Sequence, residues 1–238
     1  MSSLKDHGNL FNNQLLAALP REEYERLSPH LELVRLTLGK ILYNAGDPVR
    51  YAYFPKGGMV CLLSTTESGK TMEVGMIGSE GMVGLPIVLR CGVTSYRVMV
   101  QITTNALRIR GDALRREFDR GGRLQDLLLR YTHTLLVQVS QSATCNRFHT
   151  VEERLCRWLL VGRDCVQTDT ISLTQEFLSE MLGVPRTSIT AIAGTLQKEG
   201  LIRYGRGKIV ILNRAGMESR ACECYRLVRN GVREFFAA

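Results

Sequence analysis

The stretch LTQEFLSEMLGVPRTSITAIAGTLQKEGL, residues 173–201, predicts two short helices that meet at a tight glycine turn. Thr174 is placed to cap the first helix, and apolar residues then recur at helical spacing on one face. Gly183 ends that helix because glycine enters a left-handed turn without steric cost, and Pro185 suits the start of a second helix. The stretch therefore predicts a helix-turn-helix.

The residues that follow add a basic hairpin. Residues 203–208, Arg-Tyr-Gly-Arg-Gly-Lys, separate two short apolar runs, which is typical of a β-hairpin. Residues 185–214 contain six Lys or Arg and one acid, and such side chains supply affinity for DNA by neutralising phosphates. Helix, helix and hairpin together predict a winged helix-turn-helix. The residues expected to contact DNA are Thr174, Arg186, Thr187, Ser188, Thr190, Arg203, Arg206 and Lys208.

Two other interpretations of this segment stay open on the residues alone. Tight helix pairs also occur inside protein cores, and a C-terminal domain of this kind can contact protein partners instead of DNA. The basic hairpin favours DNA. An enzyme is the weakest alternative, because the sequence contains no G-x-x-x-x-G-K phosphate loop and no nucleophile with a base at readable spacing, so no catalytic residue is predicted.

Composition is consistent with a polyanionic partner. The 238 residues carry a formal net charge of +8 and an isoelectric point near 9.3. The N-terminal residues lack the apolar run of a signal peptide, and no run approaches the length needed to cross a bilayer. A cytoplasmic protein without membrane contact is expected.

Short β-type runs separated by turn residues occupy the first half of the chain after a helical entry at residues 9–29. The runs are residues 33–38, 41–43, 51–55, 59–65, 71–77, 96–103 and 106–109. Their near-regular spacing predicts an antiparallel barrel or sandwich. Residues 81–89 have a different character and are expected to place a short helix over the barrel mouth, where a ligand pocket is common.

A long helix is predicted from Arg123 to about Cys145. Apolar and small residues recur on it in alternating steps of four and three, which is the spacing of a two-stranded coiled coil. The predicted dimer seam is Leu124, Leu128, Tyr131, Leu135 and Gln138. A helix that only covers the barrel is the alternative, and Leu127 on the other flank indicates that it does this as well.

A break at residues 146–150 precedes a capping box at Thr150 and Glu153 and is interpreted as a hinge. The predicted division is a sensor β-barrel at 1–120, a dimerisation helix at 121–146 and a DNA-binding domain at 147–238. A last helix is expected at 217–236. On that helix the thiols of Cys222 and Cys224 would point apart, so no metal site is predicted.

The chain has a predicted barrel, a long helix, a hinge and a winged helix-turn-helix in this order. In this arrangement it resembles the Crp/Fnr family of bacterial transcription regulators. The resemblance covers residues 31–212 and is strongest at 173–202 and in the glycine pattern of the barrel, which includes Gly39, Gly46 and Gly57. The resemblance implies an α+β fold. Its N-terminal domain is expected to be an antiparallel β-barrel of the double-stranded β-helix or jelly-roll kind, similar to a cyclic-nucleotide-binding domain. The resemblance also implies a homodimer on a palindromic double-stranded DNA operator, an effector in the barrel, and RNA polymerase as an open candidate partner.

The effector pocket departs from the members that bind cyclic AMP. Those members carry Gly-Glu and Arg-Ser pairs where this chain has Gly84-Leu85 and Tyr96-Arg97, and a Thr-Ser pair where it has Val139-Ser140. Leu85 cannot accept hydrogen bonds from a ribose, and Arg97 is displaced by one position, which in a strand turns its side chain to the other face. The candidate pocket residues are Gly84, Leu85, Tyr96, Arg97 and Ser140. An effector other than cyclic AMP, or none, is expected.

The chain also lacks the residues that bind other cofactors in the family. No cysteine precedes Cys61, so an N-terminal iron–sulfur sensor is not expected, and the four histidines are isolated in sequence, which disfavours a haem sensor. No cofactor is predicted. At the reading end of the second helix, Arg186 is retained from the family pattern, but Thr187 and Ala191 replace two of its reading residues, so a different operator sequence is expected.

Overall fold

The computed structural model describes residues 12–237. The helices in this range are α1 (Gln14–Ala17), α2 (Arg21–Leu27), α3 (Gly111–Asp119), α4 (Arg123–Phe148), α5 (Val151–Val166), α6 (Gln175–Leu182), α7 (Arg186–Lys198), α8 (Arg214–Arg220) and α9 (Cys224–Ala237). The strands are β1 (Glu32–Leu36), β2 (Ile41–Tyr43), β3 (Tyr51–Pro55), β4 (Met59–Thr65), β5 (Thr71–Ile77), β6 (Arg97–Ile102), β7 (Thr104–Arg110), β8 (Thr170–Ser172), β9 (Ile202–Gly205) and β10 (Lys208–Ile211).

Two antiparallel sheets form the N-terminal half. One has the strand order β1-β7-β3 and the other has the order β2-β6-β4-β5. The chain crosses from one sheet to the other at Thr103, between β6 and β7. Both sheets bury side chains in one core, to which Phe54 of β3 and Val100 of β6 belong. The predicted α+β fold with an antiparallel β-structure at the N-terminus is confirmed.

All seven predicted strands of this half are present, each within about two residues of its expected bounds. A single 3-10 turn at Leu85–Ile87 stands where a short helix was expected. Within the described residues the helical entry begins at Gln14, and residues 9–11 of the predicted stretch lie outside them.

Helix α4 packs along the sheets and is the longest element described. Leu127 and Leu128 on its inner side are fully buried in the sensor core. The C-terminal helix α9 returns to the same core, where Phe235 contacts Tyr131 of α4 with ring centroids 6.2 Å apart. The guanidinium of Arg130 donates to the carbonyl of Phe235 at 2.7 Å. The end of the chain is therefore fastened to the long helix.

The break between α4 and α5 lies at His149 and Thr150, inside the predicted range 146–150, and α4 continues three residues beyond its predicted end at Cys145. Thr150 caps α5, and its side chain and that of Glu153 exchange hydrogen bonds with each other's backbone N–H in a complete capping box. Helix α5 extends from this cap to Val166. Its apolar face joins α6, α7 and the β8-β10-β9 sheet in a second core. Strand β8 was not predicted, because three residues are too few for a periodic signal.

The expected last helix at 217–236 is wrong in its first part. Helix α8 ends at Arg220, Ala221 adopts an extended conformation, and α9 begins only at Cys224. The interruption lets Cys222 and Cys224 turn inward together, where they form a buried cluster with Cys145 of α4. The inference that these two thiols point apart assumed a continuous helix and is corrected here.

The C-terminal core is held against the outer face of the β2-β6-β4-β5 sheet by a buried polar contact. The indole N–H of Trp158 on α5 donates to Oε2 of Glu73 on β5 at 3.0 Å, and the Cys61 thiol lies 3.1 Å from the same oxygen. Burial raises the pKa of Glu73 to about 7, although the two hydrogen bonds and the charge of Arg157 oppose the shift. The folded state therefore favours the protonated carboxyl, because the cost of burying a carboxylate exceeds what the two hydrogen bonds return.

Within residues 12–237, none of the helices combines the length and the apolar character that a membrane span requires.

We predict that the fold becomes less stable as the pH rises, because Glu73 must then be buried as a carboxylate. The pKa of Glu73 is higher in the folded state, so its stabilisation is complete below about pH 4.5 and is lost as the pH rises through about 7. Glu73→Gln cannot ionise. The free energy of unfolding of the parent should therefore fall between pH 5 and pH 8, and that of the variant should fall less. The difference between the two decreases should be about 2–3 kcal/mol. Urea unfolding followed by the fluorescence of Trp158, the single tryptophan, measures this difference.

The exposed Glu67 provides the matched control, and Glu67→Gln should keep the pH dependence of the parent. An equal fall in the Glu73→Gln variant and the parent would show that Glu73 does not titrate in this range.

Candidate nucleic-acid interface and ligand cavity

The predicted helix-turn-helix is formed by α6 and α7. The Thr174 hydroxyl accepts the N–H of Phe177 at the start of α6. Gly183 ends the helix with φ +64°, a left-handed conformation that glycine adopts without strain. Pro185 follows as the N-cap of α7. The turn therefore depends on the two residues that the sequence singled out.

A hydrogen bond between side chains fixes the angle of the two helices on their outer side. The hydroxyl of Thr190 on α7 lies 2.7 Å from Oε1 of Gln175 on α6 and 3.0 Å from the carbonyl of Arg186. On the inner side, Ile189, Ala193 and Leu196 are buried in the C-terminal core. Recognition side chains are thus presented on a helix that is fixed from both sides.

The side chains predicted to contact DNA lie at the surface. Seven of the eight are exposed and Ser188 is half-buried, the exposed ones being Thr174, Arg186, Thr187, Thr190, Arg203, Arg206 and Lys208. Four of these side chains are cations: Arg186, Arg203, Arg206 and Lys208. Within the described part of the chain, none of the four forms a side-chain hydrogen bond or ion pair with the protein. By contrast, Arg214 and Arg220 each bind two carboxylates. Uncompensated cations on one surface are available to phosphates or base edges.

The wing is the hairpin of β9 and β10. Arg206 and Gly207 occupy its tip with φ of +50° and +71°, the backbone of a tight two-residue hairpin turn. The tip is anchored because the carbonyl of Gly207 accepts the N–H of Leu173 at 2.8 Å. Oε1 of Gln197 accepts the N–H of Tyr204 at 2.7 Å, which ties the wing to α7. Wing and recognition helix therefore form one rigid surface.

A cavity of about 290 Å³ lies between the N-terminal core and α4. Among the described residues that line it, apolar side chains predominate and none carries a charge. Gly84 has φ +112° there, and a Cβ at this position would lie 3.0 Å from Cα of Ala52, so the loop requires glycine. The chemistry of this lining suits an uncharged ligand.

Three of the five predicted pocket residues line this cavity: Gly84, Leu85 and Tyr96. Arg97 does not, because its side chain leaves the opposite face of β6, and it lines a groove shared with Glu180 of α6. Ser140 is exposed on α4 and lies outside the lining, to which its neighbour Val139 contributes instead. Arg97 and Ser140 are therefore withdrawn as pocket residues.

The predicted dimer seam faces the wrong way for a partner. Leu124, Leu128 and Tyr131 are at most 4% exposed and belong to the sensor core of their own chain. Leu135 packs against that core, and Oε1 of Gln138 accepts the N–H of Met76 at 2.7 Å. The stripe predicted as the dimer seam thus covers the barrel of its own chain.

A second stripe on α4 has the same spacing and faces solvent. It runs in steps of four and three through exposed positions Leu129, His133, Leu136, Ser140, Ala143 and Arg147. Leu129 is 50% and Leu136 is 62% exposed, which is unusual for leucines aligned on one helix face. The surface formed by these six residues is called the outer seam below.

Two family models match the chain. One describes the cyclic nucleotide-binding domain and matches residues 33–120, and the other describes the Crp-like helix-turn-helix domain and matches residues 153–220. Together they span roughly two thirds of the sequence.

Individual proteins give a consistent picture. A global nitrogen regulator of Nostoc sp. is 22% identical over 214 residues, which are 85% of this chain and 91% of the relative. A putative transcriptional regulator of the crp/fnr family from Eubacterium rectale superposes with a TM-score of 0.67 and 18% identity, over 90% of this chain and 99% of that one. The structure of FixK2 from Bradyrhizobium japonicum has a TM-score of 0.70 and 15% identity, over 81% and 98% of the two chains. These two structures have the same fold.

Proposed function

The chain belongs to the Crp/Fnr family of transcription regulators, and from this premise we propose that it is a homodimer that binds a two-fold symmetric DNA site. The observation that carries the proposal is the surface formed by α7 and the wing, where four exposed cations have no partner within the described residues. A fixed helix with polar N-terminal residues enters a major groove, and the wing then lies beside the phosphate backbone. In this proposal the protein acts by binding DNA and performs no catalysis.

Arg186 is proposed to read a base, and the wing cations are proposed to contact phosphates. Arg186 is the first residue of α7, at the end that enters the groove, and its fork of donors matches the O6 and N7 acceptors of guanine. Arg206 and Lys208 lie at and beside the tip of the wing. Thr187, Ser188 and Thr190 are left to contact thymine methyl groups or phosphates. The operator therefore has a sequence of its own.

We predict different effects for two substitutions that remove the same charge. Arg186→Ala should cost about 1–3 kcal/mol on the preferred site and relax the choice at one base pair. Arg206→Ala should weaken binding to all sequences alike. Competition binding against a set of single-base operator variants measures both effects. An unchanged preferred sequence in the Arg186→Ala variant would refute the assignment of Arg186 as a reading residue.

The outer seam is proposed as the contact between the two subunits. Its leucines are exposed in the protomer, whereas the inner stripe of α4 is already covered by the chain's own sheets. Burial of a leucine contributes about 1.5–3 kcal/mol, and symmetry doubles this in a dimer. Parallel α4 helices would then set the two recognition helices about 34 Å apart, one turn of DNA.

We expect Leu129→Glu to weaken dimerisation by at least about 100-fold, since two leucine contacts are lost and two carboxylates are brought together. Sedimentation velocity over a range of protein concentrations measures the dissociation constant. Leu33→Glu is the matched control, because Leu33 on β1 is 61% exposed and lies away from α4. A dimer that is as strong in Leu129→Glu as in Leu33→Glu would show that the subunits meet elsewhere.

An effector other than cyclic AMP is proposed for the cavity. A cyclic phosphate would bring a negative charge into a lining without a described cation, and burial of such a charge is costly. Leu135, Leu136 and Val139 of α4 contribute to the same lining. Since Leu136 also belongs to the outer seam, an occupant of the cavity would touch the proposed subunit contact directly.

We predict that calorimetric titration with cyclic AMP gives no binding heat at millimolar ligand. An uncharged apolar compound is expected in native mass spectra of the purified protein, and filling the cavity by Val98→Trp should abolish its retention. Val98 is buried and lines the cavity. Binding of cyclic AMP in the micromolar range would contradict the proposed ligand class.

A further inference from the structure

Three cysteines and one histidine meet where α4 ends, and neither the DNA surface nor the cavity uses them. The group is Cys145, His149, Cys222 and Cys224, whose donor atoms all lie within 4.8 Å of one another. The three thiols are at most 5% exposed. Cys145 lies in the last turn of α4 and His149 is its C-cap, while Cys222 lies between α8 and α9 and Cys224 is the first residue of α9.

We propose that these four side chains bind one Zn²⁺ ion. Three sulfurs and one imidazole nitrogen are a common donor set for tetrahedral zinc. Zinc–sulfur bonds of about 2.3 Å hold sulfur ligands about 3.8 Å apart in a tetrahedron. The observed separations are close to this: 3.5 Å between the Sγ atoms of Cys145 and Cys222, and 3.4 Å between Sγ of Cys224 and Nδ1 of His149.

The surroundings of His149 favour a metal ligand. Its Nε2 lies 3.3 Å from Oε1 of Glu223, so this nitrogen is positioned to carry the proton and Nδ1 is left free to bind an ion. Metal-binding histidines usually donate their second N–H to a carboxylate in this way, which fixes the ring. Nε2 of Gln141 also lies 3.0 Å from Sγ of Cys224, the geometry of a donor to a thiolate.

Charge points the same way. Zn²⁺ with three thiolates carries a net charge of −1, and the buried Arg154 and Arg157 lie on the adjoining turns of α5. Nε of both arginines has no partner within the described residues. An anionic metal centre would neutralise a cationic pocket.

The ion would act as a clamp on the hinge. Cys145 and His149 precede α5, while Cys222 and Cys224 follow α8 of the DNA-binding half. Metal binding therefore links the end of α4, just before α5, to the segment that joins α8 and α9. This link would order the break between α4 and α5. This consequence rests on the proposed function, whereas zinc binding itself does not.

Metal content and coordination test the site without DNA. We expect one zinc per chain by mass spectrometry of the full-length protein. The metal-free protein, titrated with Co²⁺ under nitrogen, should show the visible bands of a tetrahedral ion and thiolate-to-cobalt charge-transfer absorption. Cys222→Ser and Cys224→Ser should lower the metal affinity at least 10-fold. Cys91→Ser should leave it unchanged, because Cys91 is an exposed free cysteine outside the cluster.

Several results would overturn the site. They are sub-stoichiometric zinc with no thiolate–cobalt absorption, a Cys145–Cys222 disulfide in protein purified under nitrogen, and the broad visible absorption of an iron–sulfur cluster. Since Cys222→Ser also changes a buried group, the cobalt spectrum of the parent protein decides independently of the variants.

The effect on DNA is measured separately. Removal of zinc with a chelator should weaken operator binding by about 5- to 150-fold, the usual range of coupling between linked sites, because the hinge must then be ordered on binding. Stoichiometric zinc in a chain that never binds DNA would leave the site standing and remove the proposed function. DNA binding by a chain that never binds zinc would do the reverse.

Discussion

One helix, α4, packs against several parts of the structure at the same time, and the rest of the molecule depends on this constraint. Its inner stripe completes the sensor core, and Leu127 and Leu128 are fully buried there. A helix surface used in this way is no longer available to a partner. What remains is the outer seam with Leu129 and Leu136, and the last turn with Cys145 and His149. The inner face and the last turn thus contact different parts of the chain, and the outer seam is the face proposed for a second subunit, so a displacement of α4 would alter all of these contacts.

The cavity, the seam and the hinge are arranged in order along this helix. Leu135, Leu136 and Val139 line the cavity, and the thiol cluster lies less than two helical turns beyond Val139. From the other side, Trp158 of α5 holds the C-terminal core to the sheet through Glu73. Under the proposed function, a ligand, a second subunit or a metal ion would therefore change DNA binding by moving or ordering the same helix. This is an equilibrium between arrangements, and each ligand shifts it by its difference in affinity.

Much of this could be predicted from the sequence, because local signals agreed with tertiary structure. The β-runs were bounded by turn residues, and Gly183, Pro185 and Thr150 mark breaks that the backbone itself requires. The dimer seam could not be assigned in this way. Two stripes of α4 share the same steps of four and three, and periodicity does not tell which of them a neighbouring sheet will cover.

The cysteine cluster was missed for a related reason. Cys145 and His149 are four residues apart at the end of a helix, so they share a face, and this spacing was a usable signal. The pair Cys222 and Cys224 appeared unsuitable because a continuous helix was assumed across them. The interruption at Ala221 is a tertiary effect without a glycine or proline to mark it. At Arg97, strand alternation correctly predicted a side chain that turns away from the cavity, and its inclusion among the candidate pocket residues went against that signal.

The most direct test of the central claim is a fluorescence titration of the purified protein with random and operator DNA at two salt concentrations. The account predicts binding to both, tighter to a two-fold symmetric site, with an affinity that falls steeply between 50 and 200 mM salt as phosphate contacts release counterions. A chain whose C-terminal half contacts only protein would show no salt-dependent affinity for either DNA, and that result would contradict the account.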